Sequence, residues 1–174
     1  MSLPLVPPPA PGTPTAPFVY FAYGSSLDSD ALAAWCAEHG YRVPDLTFAK
    51  PATLNGWRLA FNVRSRFWGG AVASLVADPK GRVEGVAIPL PGNAREFTRH
   101  KEGVLSGLYQ EIDVKVVSGG TEAAAIAYMA AADRSLSAEE APAPKFLEAM
   151  IRGSIAHGLS EKWIEALRSR TTRG

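Results

Sequence analysis

Hydrophobic and polar positions along the chain fall into short blocks with two different periods. Phe18 to Ala22 is an unbroken apolar and aromatic run of strand length, which predicts a buried strand. It ends in Tyr23-Gly24-Ser25-Ser26-Leu27 and passes directly into Asp28-Ser29-Asp30-Ala31-Leu32, a helix start that Ser26 or Asp28 can cap. Leu27, Ala31 and Trp35 then recur at helical spacing, predicting a helix over 28–39 with that face on the core and Gly40 as a left-handed stop. Three β-like runs follow, over 52–61 around Asn55-Gly56, over 71–77 and over 82–90. Between the last two stands Asp78-Pro79-Lys80-Gly81, with Pro and Gly placed as a type I turn requires, and this predicts a hairpin.

Asn93 stands three residues before Glu96, a loose capping-box arrangement with Phe97 as its apolar contact, so 93–101 reads as a short helix. From Leu108 to Val116 the period changes to two. Leu108, Ile112, Val114 and Val116 share one face, while Tyr109, Glu111, Asp113 and Lys115 share the other, predicting a strand with one buried and one wet face. Gly119-Gly120 turns the chain into a partner strand over 123–131. After a polar, proline-containing connection over 133–144, two helices close the pattern, 145–157 and 161–170, the second behind a Ser160 cap. The fold class expected is α+β, with a mixed, mainly antiparallel, barrel-like sheet and flanking helices.

With 174 residues, 47% of them hydrophobic and 20% charged, the chain has the size and core material of a single domain over 18–170. Residues 1–17 contain seven prolines and read as a disordered leader, with 171–174 as a tail. The 18 basic and 17 acidic side chains nearly cancel without a basic stripe, which argues against nucleic acid as a partner. Cys36 is the only cysteine, so an internal disulfide is excluded and a reducing cytoplasm fits best. No stretch approaches the ~20 apolar residues of a spanning helix, so no membrane partner is expected.

Candidate chemistry concentrates at two places. The junction at Tyr23-Gly24-Ser25-Ser26 suits an anion, because glycine lets a ligand approach the backbone and the following helix start offers free N–H groups. Glu102 falls at the C-terminal edge of the short helix, where its charge opposes the helix dipole, and Gly103-Val104-Leu105 follows it. A glutamate so placed in a pocket is a candidate general base. Other constellations are poorer. His39, His100 and His157 lack partners at metal spacing, Ser25 and Ser26 lack a nucleophile elbow, and no phosphate-loop or dinucleotide glycine pattern is present. Trp68-Gly69-Gly70 suits close backbone packing or a pocket wall, and Cys36 a small core position.

Three of these stretches together resemble the γ-glutamylcyclotransferase family. Tyr20-Phe21-Ala22-Tyr23-Gly24-Ser25-Ser26-Leu27 is similar to its signature strand and glycine loop, and Trp68-Gly69-Gly70-Ala71-Val72-Ala73 to its next core strand. Glu102-Gly103-Val104-Leu105-Ser106-Gly107-Leu108-Tyr109 is similar to the segment that carries its catalytic glutamate. The resemblance covers about 18–168 and implies an AIG2-like mixed barrel whose cavity lies between the glycine loop and the glutamate. It implies release of 5-oxoproline and a free amine from a γ-glutamyl amino acid, peptide or amine, with no metal or organic cofactor. In that picture Glu102 is catalytic, and Tyr20, Tyr23, Gly24, Ser25, Ser26 and Phe146 contact a small-molecule substrate, in a monomer or homodimer. Two departures stand out: the family usually has asparagine where this chain has Ser26, and its better-known members carry a substrate-contacting tyrosine about where this chain has Phe146. A non-catalytic domain of the same fold that binds a small carboxylate is the alternative.

Overall fold

A computed structural model describes residues 16–170. Apart from Ala16 and Pro17, the proline-rich leader lies outside the described residues, as does the tail at 171–174. The described chain forms a closed five-stranded barrel in the order β1-β3-β2-β4-β5, flanked by four helices. β1 (Phe18–Ala22) lies antiparallel to β3 (Gly70–Leu90) and parallel to β5 (Thr121–Ala130), and every other pairing is antiparallel. The expected mixed, mainly antiparallel barrel with flanking helices is therefore the fold observed. No helix among the described residues is long and apolar enough to cross a membrane.

β1 is apolar on both faces because both faces are covered. Phe21 and Tyr23 join the cluster of Leu54, Phe61, Leu75 and Val83, whereas Tyr20 and Ala22 join that of Val86, Ile88 and Tyr128. The hairpin expected at Asp78-Pro79-Lys80-Gly81 is not formed. β3 runs from Gly70 to Leu90, and both of its halves pair with the same strand, β2 (Lys50–Ser65): Trp57 faces Ala77 and Asn55 faces Arg82. The four turn residues bulge out opposite Gly56, where the Lys80 N–H donates to Asp78 Oδ1 at 3.0 Å. Local turn chemistry is satisfied, but a long shared partner keeps the two halves collinear. The β2–β3 reversal comes instead at Arg66-Phe67-Trp68-Gly69, where the Gly69 N–H donates to Ser65 O at 2.9 Å.

α1 (Ser29–His39) starts at Asp28, whose carboxylate accepts from the Ala31 N–H at 3.2 Å, and stops at Gly40 with φ +77°. Its core face is Leu32 and Cys36; Ala31 and Trp35 are only half-buried, a one-residue rotation from the expected face. α2 (Arg95–Lys101) buries Phe97 as expected but has no side-chain cap, because a 3-10 turn over Gly92–Ala94 occupies the place where Asn93 would have capped. β4 (Tyr109–Ser118) and β5 form the expected hairpin through Gly119-Gly120. The Ser160 hydroxyl accepts from the Trp163 N–H at 3.1 Å and starts α4 (Glu161–Arg168).

The helix α3 (Pro144–Ala156) buries Phe146, Leu147 and Met150 against the barrel. Its Gly153 lies on the backbone of Leu27, in the 3-10 turn Ser25–Leu27 that follows β1: a Cβ there would stand 2.3 Å from the Leu27 carbonyl carbon and 2.5 Å from its oxygen. Neither partner can retreat, since Leu27 is 1% exposed and Met150 is fully buried. Gly153→Ala should therefore destabilise the fold by about 1–3 kcal/mol, the usual scale of overpacking. A thermal melt should show this as a Tm lowered by about 5 °C, and an unchanged Tm would contradict the contact.

Candidate active site

The first strand, the turn after it, the end of α2 and the start of α3 converge on one cavity of about 580 Å³. Tyr20, Tyr23, Gly24, Ser25, Glu102 and Phe146 all line it. Ser26 meets the same site from behind, through Glu102. The seven residues expected in the site are thus brought together.

Glu102 is held by its backbone before its side chain is considered. It closes α2, and the next residue, Gly103, takes φ +76°. The Gly103 N–H donates to His100 O at 3.2 Å and the Val104 N–H to Arg99 O at 3.0 Å, the paired bonds of a Schellman stop. Glycine is required there for its left-handed backbone. The carboxylate then receives two hydroxyls on one oxygen: Tyr20 Oη donates to Oε1, and Ser26 Oγ donates to the same atom at 3.0 Å. Tyr20 and Ser26 are each 6% exposed, so neither donor has ready access to water. Burial first, and the Glu102 charge second, push the Tyr20 phenol well above its ordinary range, which keeps its proton in place as a donor. Oε2 receives no protein donor among the described residues and remains available to a ligand.

Beside the carboxylate lies the turn. Its two 3-10 bonds run from Leu27 N–H to Gly24 O at 3.2 Å and from Asp28 N–H to Ser25 O at 3.0 Å, and neither uses the N–H of Ser25 or Ser26. Gly24 has φ −107°, so left-handed freedom is not why glycine is there. A Cβ at this position would stand 3.4 Å from Phe146 Cζ, filling space between turn and ring. That is ordinary van der Waals contact, so packing alone does not demand glycine there either. Phe146 is 5% exposed and meets Trp68 edge to face at 5.4 Å between centroids.

Several lining residues escaped the sequence patterns. Tyr109 was expected on a wet face, but its hydroxyl donates to Ala73 O at 2.6 Å and its ring lines the cavity. Tyr128, its neighbour on β5, also lines the cavity, accepts the Tyr23 hydroxyl on its carbonyl and packs edge to face on Tyr20 at 5.9 Å. Burial raises the phenols of Tyr23, Tyr109 and Tyr128 as well, so these wall residues stay neutral. Trp35 and Ala31, expected in the core, form part of the α1 wall. The signal was available: a face carrying Tyr109 and Glu111 opposite Tyr128 is too aromatic for a plain solvated face. The 133–144 connection does not contribute to the lining; it is tied to the barrel, with the Leu136 N–H on Asn62 O at 2.7 Å and the Ala143 N–H on Ala71 O at 2.8 Å. Among the described residues no group of His, Cys, Asp and Glu could hold a metal ion.

Glu111 explains how α2 is kept in register. It accepts from Arg95, from Arg99 Nε at 3.1 Å and from the Tyr128 hydroxyl at 2.9 Å, bonding the helix that ends in Glu102 to both strands beneath. Burial pushes the Glu111 carboxyl up, but hydrogen bonds from Arg95, Arg99 and Tyr128 outweigh it and hold the group at about 2. The folded value is depressed below the unfolded one of 4.5, so the stabilisation is complete above that value and fades as pH falls towards 2. Glu111→Gln should melt below the parent protein at pH 7, with the gap in Tm closing across that acid window. A gap independent of pH would show that the charge of Glu111 is not what matters.

Comparison with known proteins fits this geometry. A sequence model of the AIG2-like family matches residues 82–167. Gamma-glutamylcyclotransferase of Homo sapiens is 28% identical over 157 residues, covering 87% of this chain and 78% of the relative. A solved structure of a gamma-glutamyl cyclotransferase superposes with a TM-score of 0.73 at 24% identity, covering 90% of this chain and 89% of the other. A yeast gamma-glutamyl cyclotransferase specific to glutathione shares the fold, with a TM-score of 0.62 at 15% identity and coverage of 87% and 94%.

Proposed function

We propose that this γ-glutamylcyclotransferase-like enzyme of AIG2-like fold releases 5-oxoproline and a free amine from a γ-glutamyl compound, with Glu102 moving the protons. The observation that carries this reading is the paired donation of Tyr20 and Ser26 to one oxygen of Glu102, which fixes the carboxylate and leaves the other oxygen towards the cavity.

The reaction needs no enzyme nucleophile. The substrate's α-amine attacks its own γ-carbonyl, and holding the two together converts the step into an intramolecular one, worth on the order of 10⁵–10⁸ M in effective concentration. Glu102 Oε2 takes a proton from the α-ammonium, which frees the lone pair. The new C–N bond closes the five-membered ring. The carbonyl oxygen gains negative charge, and the Ser25 and Ser26 N–H groups, unused by the turn, are the donors available to it. Glu102 then returns that proton to the departing nitrogen as the amide C–N bond breaks, and the ring nitrogen gives up its second proton to the released amine, which leaves as the ammonium.

The phenols suit this role. Tyr23, Tyr109 and Tyr128 form part of the cavity wall in their neutral form and so add no charge beside Glu102. Ser26 serves as a hydroxyl donor to the glutamate.

Glu102→Gln should keep the fold and lose on the order of 10²- to 10⁴-fold in turnover. The measurement is 5-oxoproline release from a panel of γ-glutamyl amino acids, peptides and amines. Release from the variant near the parent rate would overturn the role of Glu102. Ligand binding without product from the parent would favour a carboxylate-binding domain instead.

A further inference from the structure

The cavity is much larger than a five-carbon glutamyl group requires; at about 580 Å³ it lies in the range that encloses a drug-sized ligand. Glu102 and the Ser25–Leu27 turn account for the glutamyl part, and the remainder must receive the departing amine.

Two features of that remainder are unexplained by folding. The first is an aromatic ledge. Phe67, in the β2–β3 turn, is 70% exposed although it lines the cavity, and it meets Trp68 edge to face at 5.3 Å, which in turn meets Phe146 edge to face at 5.4 Å. A phenylalanine left this far in water gains nothing for the fold, and a ring placed against it would gain both apolar burial and an aromatic edge contact. The second is Lys145. It stands in the first turn of α3, where the helix dipole is positive and a cation is disfavoured. It lines the cavity and makes no ion pair among the described residues. The other charged side chains of the outer cavity, Glu38 and Lys101, belong to the α1–α2 wall, where the Lys101 ammonium lies 5.8 Å from the Trp35 ring centroid.

Resting on the cyclotransferase reading, we infer that the leaving amine is a free aromatic amino acid, its ring held by Phe67, Trp68 and Phe146 and its carboxylate by Lys145. In an amino acid the nitrogen, the carboxylate and the side chain all branch from one carbon. Lys145, Phe67, Trp68 and Phe146 all line the one cavity that Glu102 also lines, so cation and ledge open onto the space left for the departing amine. A simple amine would leave Lys145 without a counter-ion, and a small side chain would leave Phe67 in water. The bonds balance as before: the γ-amide C–N bond breaks, the amino acid nitrogen takes the proton from Glu102, and 5-oxoproline is the other product.

Three matched substrates separate the parts: γ-glutamylphenylalanine, γ-glutamylphenethylamine, which lacks only the carboxylate, and γ-glutamylalanine, which lacks only the ring. From 5-oxoproline release, kcat/KM for the first should exceed that for the alanine compound by about tenfold. It should exceed that for the phenethylamine compound by about fivefold, the scale of an exposed ion pair. Lys145→Gln should abolish the second ratio and keep the first, and Phe67→Ala should shrink the first and keep the second. Equal rates on all three, or ratios that neither variant moves, would overturn the leaving-group assignment while leaving the cyclotransferase reading intact. No 5-oxoproline from these or from any compound of the wider panel would overturn both.

Discussion

Everything at the active end of this barrel rests on one backbone-to-backbone contact, Gly153 of α3 against Leu27. The 3-10 turn that carries Ser25 and Ser26 has only two internal hydrogen bonds and no side-chain cap, too little to define its own position. It is positioned from outside. β1 delivers it from below, Asp28 starts α1 after it, and Arg152 of α3 bonds Asp28 Oδ2 at 2.9 Å. α3 therefore grips the C-terminal end of the turn twice, at Leu27 through a glycine that permits close approach and at Asp28 through an ion pair.

The carboxylate opposite is fixed by a different kind of support. Glu102 sits where the α2 dipole disfavours it, and the structure compensates with hydroxyl donors rather than with a cation. A lysine or arginine in their place would hold a carboxylate more strongly but would also oppose its taking up a proton. Neutral donors orient the group without placing a cation beside it. The arginines that do enter this region, Arg95 and Arg99, are committed to Glu111, on the far side of Tyr128 from the cavity. Charge pairing thus fixes the helix, and hydroxyls fix its last residue.

Much of this was legible in the sequence where local chemistry and tertiary demand agree. The strand at Phe18–Ala22, the Asp28 cap, the Gly40 stop, the β4–β5 hairpin and the Ser160 cap all follow from signals a few residues long. Glu102 stood out because it breaks a local rule. What was not legible depended on partners distant in sequence. Asp78-Pro79-Lys80-Gly81 has the composition of a hairpin turn, yet β2 is long enough to hold both flanks, and only knowledge of that pairing turns the same residues into a bulge. Trp35 and Tyr109 failed in the complementary way: each sits on a helix or strand face that periodicity assigns to core or water, and a cavity is neither. The capping box at Asn93 gave way to a 3-10 turn for a similar reason, since the entry of α2 is set by the strand it leaves.

Barrel closure also imposes an order on assembly. The β2–β3 and β4–β5 ladders are built from hairpins and can form as soon as their residues exist, but β1 must wait for the second half of β3 and then for β5, where Tyr20 meets Ile126. β1 is thus enclosed only after β5 has been made, although its antiparallel partner, residues 86–90, exists by the middle of the chain. Tyr20 and Ser26 belong to that waiting segment, while Glu102 arrives on the other side of the seam. The carboxylate acquires its two hydroxyl partners only when the seam closes, so a chain that has not finished folding holds no assembled Tyr20–Ser26–Glu102 cluster.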